Sequence, residues 1–272
     1  MTVRRQRLDA ELVRRGLARS RQQAAELVTA GRVRVSGAAA TKPATQVDLA
    51  VAIVVSEVAE GTGPDYVSRG AHKLVGALDA FDVPVAGRRC LDAGASTGGF
   101  TNVLLRRGAD HVVAVDVGYG QIAWSLRQDE RVTVLERTNV RTLDPALVAP
   151  APSLVVADLS FISLTLVLPA LRACSASEAE HVLMVKPQFE VGRDALGAGG
   201  VVRSAELRAG AVRTVASAAL DVGLGVRGVA ASPLPGPSGN VEYFLHLQAG
   251  APPLDEQALA AALAAGPQDG LR

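Results

Sequence analysis

Five short apolar runs set the architecture of this chain: Arg89–Ala93, His111–Asp116, Val132–Glu136, Ser153–Asp158 and His181–Lys186. Stretches of helical period separate or follow them, near Gly99–Arg107, Gln121–Gln128, Leu164–Leu171 and Glu206–Val222. Strands joined by helix-length connections build a mostly parallel sheet with helices on both faces. Ser68 to Phe81 reads as a helix ahead of that sheet, with Leu74, Ala77, Leu78 and Phe81 on one face. Two last strands, near Gly225–Ala231 and Val241–Leu247, flank a proline-rich turn at 233–237 and so close as an antiparallel hairpin. Gly192–Gly200 holds four glycines and no apolar period, which predicts a mobile loop. From Gly250 onward the Ala-rich composition predicts a marginal helix and a frayed tail.

Apolar residues make up 49% of the 272, enough for a sizeable core. The most apolar stretch, Leu159–Leu171, is broken by Ser160, Ser163, Thr165 and Pro169, too short and too polar to span a membrane. The basic start at Met1 leads into no apolar segment of the secretory kind. Cys90 and Cys174 stand far apart with no Cys/His cluster near them, so neither a disulfide scaffold nor a metal site is expected. A cytoplasmic protein is the simplest expectation.

The net charge of +1 conceals an asymmetry. Residues 1–45 carry +7 and the remainder −6. A basic block on a near-neutral chain points to a polyanionic partner. Within it, Leu8, Leu12 and Val13 mark one helix that stops at Gly16. Ala24, Ala25, Leu27 and Val28 mark a second, capped by Ser20 and ended by Gly31. Short strands follow at Val33–Val35 and after Val47, making a small α+β unit. Glu60–Pro64 has the composition of a linker.

Leu91–Phe100 closes a strand and opens a helix through Asp92, Gly94, Ser96, Thr97, Gly98 and Gly99. Glycines there let a ligand approach the backbone, and the helix start offers free N–H groups. The dinucleotide pattern G-x-G-x-x-G fails at Ser96. The carboxylate of Asp92 suits a ligand bearing a cationic amino group, such as S-adenosyl-L-methionine. Asp116, at the end of the second strand, is placed to accept ribose hydroxyls. Asn139 and Val140, after the third strand, are candidates for adenine contact.

Only three of the 28 basic residues are lysines: Lys42, Lys73 and Lys186. Lysine can give up a proton and act as a base, whereas arginine effectively cannot. Asp158 and Lys186 both end apolar strands, and the carboxyl edge of an open α/β sheet is its ligand crevice. Lys73 precedes the sheet and Glu242 opens its last strand.

The pattern Arg7-Leu8-Asp9, Leu12, Gly16-Leu17, Ser20-Arg21, Ala24, Leu27, Gly31, Val33, Val35 and Gly37 resembles the S4 RNA-binding domain. The resemblance implies that Arg4, Arg5, Arg19, Arg21, Arg32 and Arg34 contact RNA phosphates. No aromatic residue lies within 1–60, so recognition of backbone and shape fits better than base stacking. Lys73, Asp158, Lys186 and Glu242 resemble, in order and strand context, the K-D-K-E tetrad of FtsJ-like ribose 2′-O-methyltransferases. The stretches 66–74, 92–101, 157–162 and 186–190 are closer still, and with the S4-like start they resemble the TlyA family, also known as hemolysins.

That resemblance implies a Rossmann-like class I methyltransferase sheet with a small N-terminal α+β S4-like RNA-binding domain. Its expected boundaries are 1–60 for the S4-like domain, 61–67 for the linker, 68–248 for the methyltransferase and 249–272 for the tail. It implies S-adenosyl-L-methionine as cofactor, ribosomal RNA or ribosomal subunits as partner, and cytidine 2′-O-methylation as the reaction. Catalysis then falls to Lys73, Asp158, Lys186 and Glu242, with Lys186 the base. Cofactor binding falls to Asp92, Gly94, Ser96, Thr97, Gly98, Gly99, Phe100, Asp116, Asn139, Val140 and Asp158. Phe100, Phe161 and Phe189 are candidates to shape the base pockets. Ala71 departs from the family's usual glycine. A non-enzymatic RNA binder and a membrane-active hemolysin are the rival readings.

Overall fold

The computed structural model describes residues 5–18, 20–29, 31–49, 51–55, 66–192, 196–236 and 238–266. The Glu60–Pro64 linker, Arg4, Arg19 and residues 193–195 of the glycine-rich loop lie outside the described residues. Two compact units make up the chain, Met1–Val67 and Ser68–Arg272.

In the first unit, β1 (Arg5–Arg7) leads into α1 (Leu8–Arg14), and α2 (Arg21–Thr29) follows. Then come β2 (Val33–Val35), β3 (Ala38–Ala39), β4 (Gln46–Asp48) and β5 (Ile53–Val55). The strands pair as β1 with β4 and as β3–β2–β5. Leu8, Leu12, Ala24, Val28, Val33 and Val47 form its buried core, the faces that sequence periodicity marks. The Ser20 hydroxyl accepts the Gln23 N–H at 3.1 Å, satisfying a free donor at the start of α2.

The second unit opens with α3 (Ala71–Phe81), then β6 (Arg89–Ala93), α4 (Gly99–Arg106), β7 (His111–Val115), α5 (Trp124–Arg127) and β8 (Val132–Leu135). It continues with α6 (Pro145–Val148), β9 (Leu154–Ala157), α7 (Leu168–Ala173), β10 (Glu180–Val185) and α8 (Pro187–Glu190). It ends with α9 (Ala205–Asp221), β11 (Leu224–Ala231), β12 (Tyr243–Ala249) and α10 (Glu256–Ala265).

Seven strands form one sheet in the order β11–β12–β10–β9–β6–β7–β8. From β8 to β10 all pairings are parallel, and β12 runs antiparallel to both β10 and β11. Every residue of β9 is buried, which marks a strand covered on both faces. Chain direction across the sheet reverses between β6 and β9, and a crevice opens at the carboxyl ends of strands at such a point.

Four expectations shift. α3 begins at Ala71 rather than Ser68, because Ser68–Gly70 form a turn with the Ala71 N–H on the Ser68 carbonyl. α5 is shorter than 121–128, because the Ala123 N–H bonds back to the Thr97 carbonyl. The helix expected over 164–171 is a 3-10 turn at Leu164–Leu166 followed by α7. Pro169 explains the break, since its ring and missing N–H bar a continuous helix through that point. The end of the chain is no frayed tail up to residue 266. α10 packs on α9 and β11 with Leu259 and Ala262 buried, and Asp255 caps it through the Gln257 N–H at 2.8 Å.

Candidate functional site

The carboxyl edge of the sheet gathers the charged residues that sequence singles out. Lys186 follows β10 and its Nζ lies 2.5 Å from Asp158 Oδ1, which follows β9. The same Nζ donates to Ser160 Oγ at 2.9 Å. Lys73, on the first turn of α3, lies 2.5 Å from Glu242 Oε2, one residue ahead of β12. Gln188, two residues past Lys186, reaches the second pair: its Nε2 donates to Glu242 Oε1 at 3.4 Å. Its own Oε1 is buried without a donor. Lys73, Lys186 and Glu242 are all buried, so both lysines sit where charge needs a partner. Gly236 borders Glu242 so closely that a Cβ there would come within 2.6 Å of Oε1. That position therefore admits no side chain unless the carboxylate moves.

Next to these pairs runs the glycine loop between β6 and α4. Gly94 has φ +88 and a Cβ there would meet the Asp158 carbonyl oxygen at 2.5 Å, so the loop lies flat against the segment after β9. Gly98 has φ +95 and faces Leu126. Asp92 is fully buried, and its Oδ2 accepts the Thr101 hydroxyl at 2.6 Å. Its Oδ1 is buried with no partner. Burial pushes the Asp92 carboxyl up to about 7, with Asp158 and Asp116 adding to the rise against Thr101. Asp116 orders the opposite wall: its two oxygens accept the Ser96 and Gly118 N–H groups, each at 2.7 Å. Each oxygen keeps a further lone pair for a ribose hydroxyl.

Three expected cofactor residues also serve the surrounding structure. Phe100 is buried and packs on Phe244 at 6.3 Å, a core contact made by the inner face of α4. Val140 belongs to the core as well. Asn139 accepts the Arg141 N–H at 3.0 Å and so caps the 3-10 turn that follows.

Phe161 is 91% exposed and holds a left-handed backbone with φ +64. A bulky residue in that region carries a steric cost of order 1–2 kcal/mol. Its ring lies 5.3 Å from that of Phe189. Glu190 pins this segment to α8, accepting from Ser163 Oγ at 2.5 Å and Leu164 N at 2.8 Å. Burial raises the Glu190 carboxyl.

In the first unit the arginines are organised around two buried acids. Asp9 holds Arg7 at 2.8 Å and Arg21 at 3.1 Å. Glu11 holds Arg14 and Arg15, each at 2.6 Å. The Arg7 guanidinium keeps Asp9 down at about 2, and Arg14 does the same for Glu11. Two cations per carboxylate leave each cluster with net positive charge while fixing the guanidinium positions. Arg5 is exposed on β1, and Arg34 donates to the Gly37 carbonyl at 2.9 Å. Arg32 is half-buried.

Family models match both units: an S4 domain over residues 6–51 and an FtsJ-like methyltransferase over 66–249. A 16S/23S rRNA (cytidine-2′-O)-methyltransferase TlyA of Mycobacterium tuberculosis is 64% identical over 246 residues, 90% of this chain and 91% of that one. The chain belongs to the TlyA family of FtsJ-like methyltransferases. Hemolysin A of Brachyspira hyodysenteriae is 36% identical over 88% of this TlyA-family chain and 98% of its own length. A solved Streptococcus thermophilus structure, provisionally named a hemolysin, superposes with a TM-score of 0.77 at 38% identity. It covers 97% of this chain and 96% of that one.

Sequence reasoning gave no individual role to four residues of this TlyA-family site: Thr101, Ser160, Gln188 and Glu190. The first three touch Asp92, Lys186 and Glu242, Glu190 touches Ser163 and Leu164, and each lies within nine positions of a residue that was singled out. A polar side chain in the first turn after the glycine loop, or inside the segments after β9 and β10, is the signal that would have found them.

Proposed function

We propose that this TlyA-family chain transfers a methyl group from S-adenosyl-L-methionine to the ribose 2′-oxygen of a cytidine in ribosomal RNA. The observation that carries the reading is the two ion pairs Lys186–Asp158 and Lys73–Glu242, the first of them against the glycine loop. Asp92 Oδ1, a buried acceptor lacking a donor, fits a cofactor with an ammonium group. Asp116 and the backbone of Gly94, Ser96, Thr97, Gly98 and Gly99 would hold the rest. Bound there, S-adenosyl-L-methionine supplies a methyl carbon activated by its sulfonium.

Neutral Lys186 would take the proton of the 2′-hydroxyl as its oxygen bonds to the methyl carbon, the carbon–sulfur bond breaking and its electron pair leaving with a neutral thioether. Lys186 becomes an ammonium, stabilised by Asp158. Lys73 and Glu242 hold the ribose, and positioning supplies much of the rate because the attack must be in line. Phe161 offers an exposed face on which a flipped cytosine stacks. Phe161→Ala is expected to raise the KM for RNA roughly 5- to 150-fold, as loss of a base–aromatic stack does, with cofactor affinity unchanged. Filter binding and initial rates check both.

The arginine clusters of the first unit bind RNA phosphates. Arg5→Gln with Arg21→Gln is expected to lower the slope of log affinity against log salt by about one per lost contact. Competition binding at several salt concentrations measures it.

Asp92 makes cofactor binding pH-dependent. Its raised carboxyl is protonated below about 7, and an ammonium requires the carboxylate, so binding expels a proton. Affinity is expected to rise up to about tenfold per pH unit below 7 and to level off above it. In the free protein the same rise means that stability falls as pH climbs from about 4 to 7. Calorimetric titration in two buffers of different ionisation enthalpy detects the proton, and Asp92→Asn abolishes it.

Among the described residues no helix is long and apolar enough to cross a membrane. The reading places the chain's work where ribosomes are, in the cytoplasm. Its test is transfer of labelled methyl to purified small and large ribosomal subunits, followed by nuclease digestion. Label on 2′-O-methylcytidine is the expected result. Label on a base or on protein, or on nothing while the cofactor binds, overturns it.

A further inference from the structure

We propose that Ser160 is a positioning residue that aims the lone pair of Lys186 at the acceptor hydroxyl. The inference rests on Lys186 being the base. A primary amine turns freely about its last bond, and only one of its tetrahedral directions can face the substrate. In its neutral form it has two N–H bonds and one lone pair. Among the described residues Nζ has two polar contacts, Asp158 Oδ1 at 2.5 Å and Ser160 Oγ at 2.9 Å. Both are acceptors. Ser160 Oγ takes one N–H as a hydrogen bond. Asp158 Oδ1, close but accepting no hydrogen bond, repels the lone pair, which is left the remaining direction.

Asp158 alone cannot do this. It keeps the lone pair out of one direction and leaves the lone pair and an N–H to exchange places between the other two. A second acceptor removes that freedom. Ser160 follows Asp158 by two residues in the segment that Glu190 ties to α8 through Ser163 and Leu164. The two acceptors thus come from one anchored stretch of chain and hold a fixed relation to each other. Ser160 is itself exposed, so its hydroxyl proton can be given to water while its oxygen accepts from Nζ. The face of Phe189, 6.0 Å from Nζ, borders the same amine.

Ser160→Ala and Ser160→Thr are the test, with Lys186→Ala beside them. In Ser160→Ala, kcat at high pH is expected to fall about tenfold, as loss of one hydrogen bond to a reacting group does, with the KM for cofactor unchanged. Removing an acceptor that also steadies the ammonium moves the rising limb of kcat against pH to lower pH. Ser160→Thr keeps the oxygen and restores both plateau and limb. The position is exposed, so folding is not at stake, and cofactor titration verifies each variant. An Ala variant with wild-type plateau and limb overturns the proposal, as does a Thr variant no better than Ala. Full activity in Lys186→Ala overturns the base assignment itself, a result distinct from either.

Discussion

Lys186→Met is expected to slow single-turnover methyl transfer by about 10²- to 10⁴-fold, the span that a positioned general base supplies. Cofactor affinity is expected to stay as it is, because Asp92 and Asp116 bond to Thr101, Ser96 and Gly118, and Lys186 to Ser160. The methionine keeps the length and apolar stem of the lysine, so packing near Phe189 survives. What is lost is the nitrogen and the ion pair with Asp158. Rapid-quench measurement with enzyme in excess over RNA isolates the chemical step from product release. Arginine at this position is expected to be equally slow. It preserves the charge opposite Asp158 but cannot give up its proton. A Lys186→Arg enzyme with near-native rate would show that the site needs a cation and not a base.

Glu242→Ala carries the second large effect, on stability. Lys73 and Glu242 are 6% and 1% exposed, so removing the carboxylate leaves an ammonium in the protein interior. Breaking a buried pair from one side costs about 3–5 kcal/mol, which for a unit of this size lowers Tm by roughly 6–20 °C. The double variant Lys73→Met with Glu242→Leu removes both charges and is expected to recover most of that loss. It should nevertheless transfer no methyl group, since Gln188 loses its acceptor and the ribose loses both polar contacts. Thermal unfolding followed by Trp124 fluorescence and by circular dichroism measures the first effect, and the methyl-transfer assay the second. A double variant as unstable as the single one would mean that the site's geometry, not its charge, is what the pair maintains.

Most of the sheet was legible because its strands are buried on both faces and read as continuous apolar runs. Asp92, Asp116, Asp158 and Lys186 were legible because each interrupts such a run at its carboxyl end. The harder positions are residues whose type permits two roles. Phe100 follows the glycine loop and was assigned to the cofactor, yet Val103 and Leu104 lie three and four positions on, along the same inner helix face. That spacing marks the core. Val140 and Asn139 occupy a loop position where either role fits the sequence; Asn139 caps the turn there and Val140 packs in the core. Asp9 and Glu11 counted simply as negative charge, although they organise four arginines. Pairings across 12 or more positions, such as Asp9 with Arg21, depend on how two helices pack and leave no periodic trace. Ser160 and Gln188 are inconspicuous polar residues until Lys186 and Glu242 are seen to lean on them.

The placement of β12 has a consequence for the life of the chain before it is finished. Glu242 lies 169 positions after Lys73. At roughly 5–20 residues per second, translation takes about 8–34 s to bring the second partner out after the first. During that interval the glycine loop, Asp158 and Lys186 are made in turn, and the early strands can pair. The α3 lysine, however, has no carboxylate to receive it and must stay in water. The last strand therefore acts as a completion signal. Products truncated before Glu242 are expected to stay open at α3 and inactive, because Lys73 lacks its carboxylate.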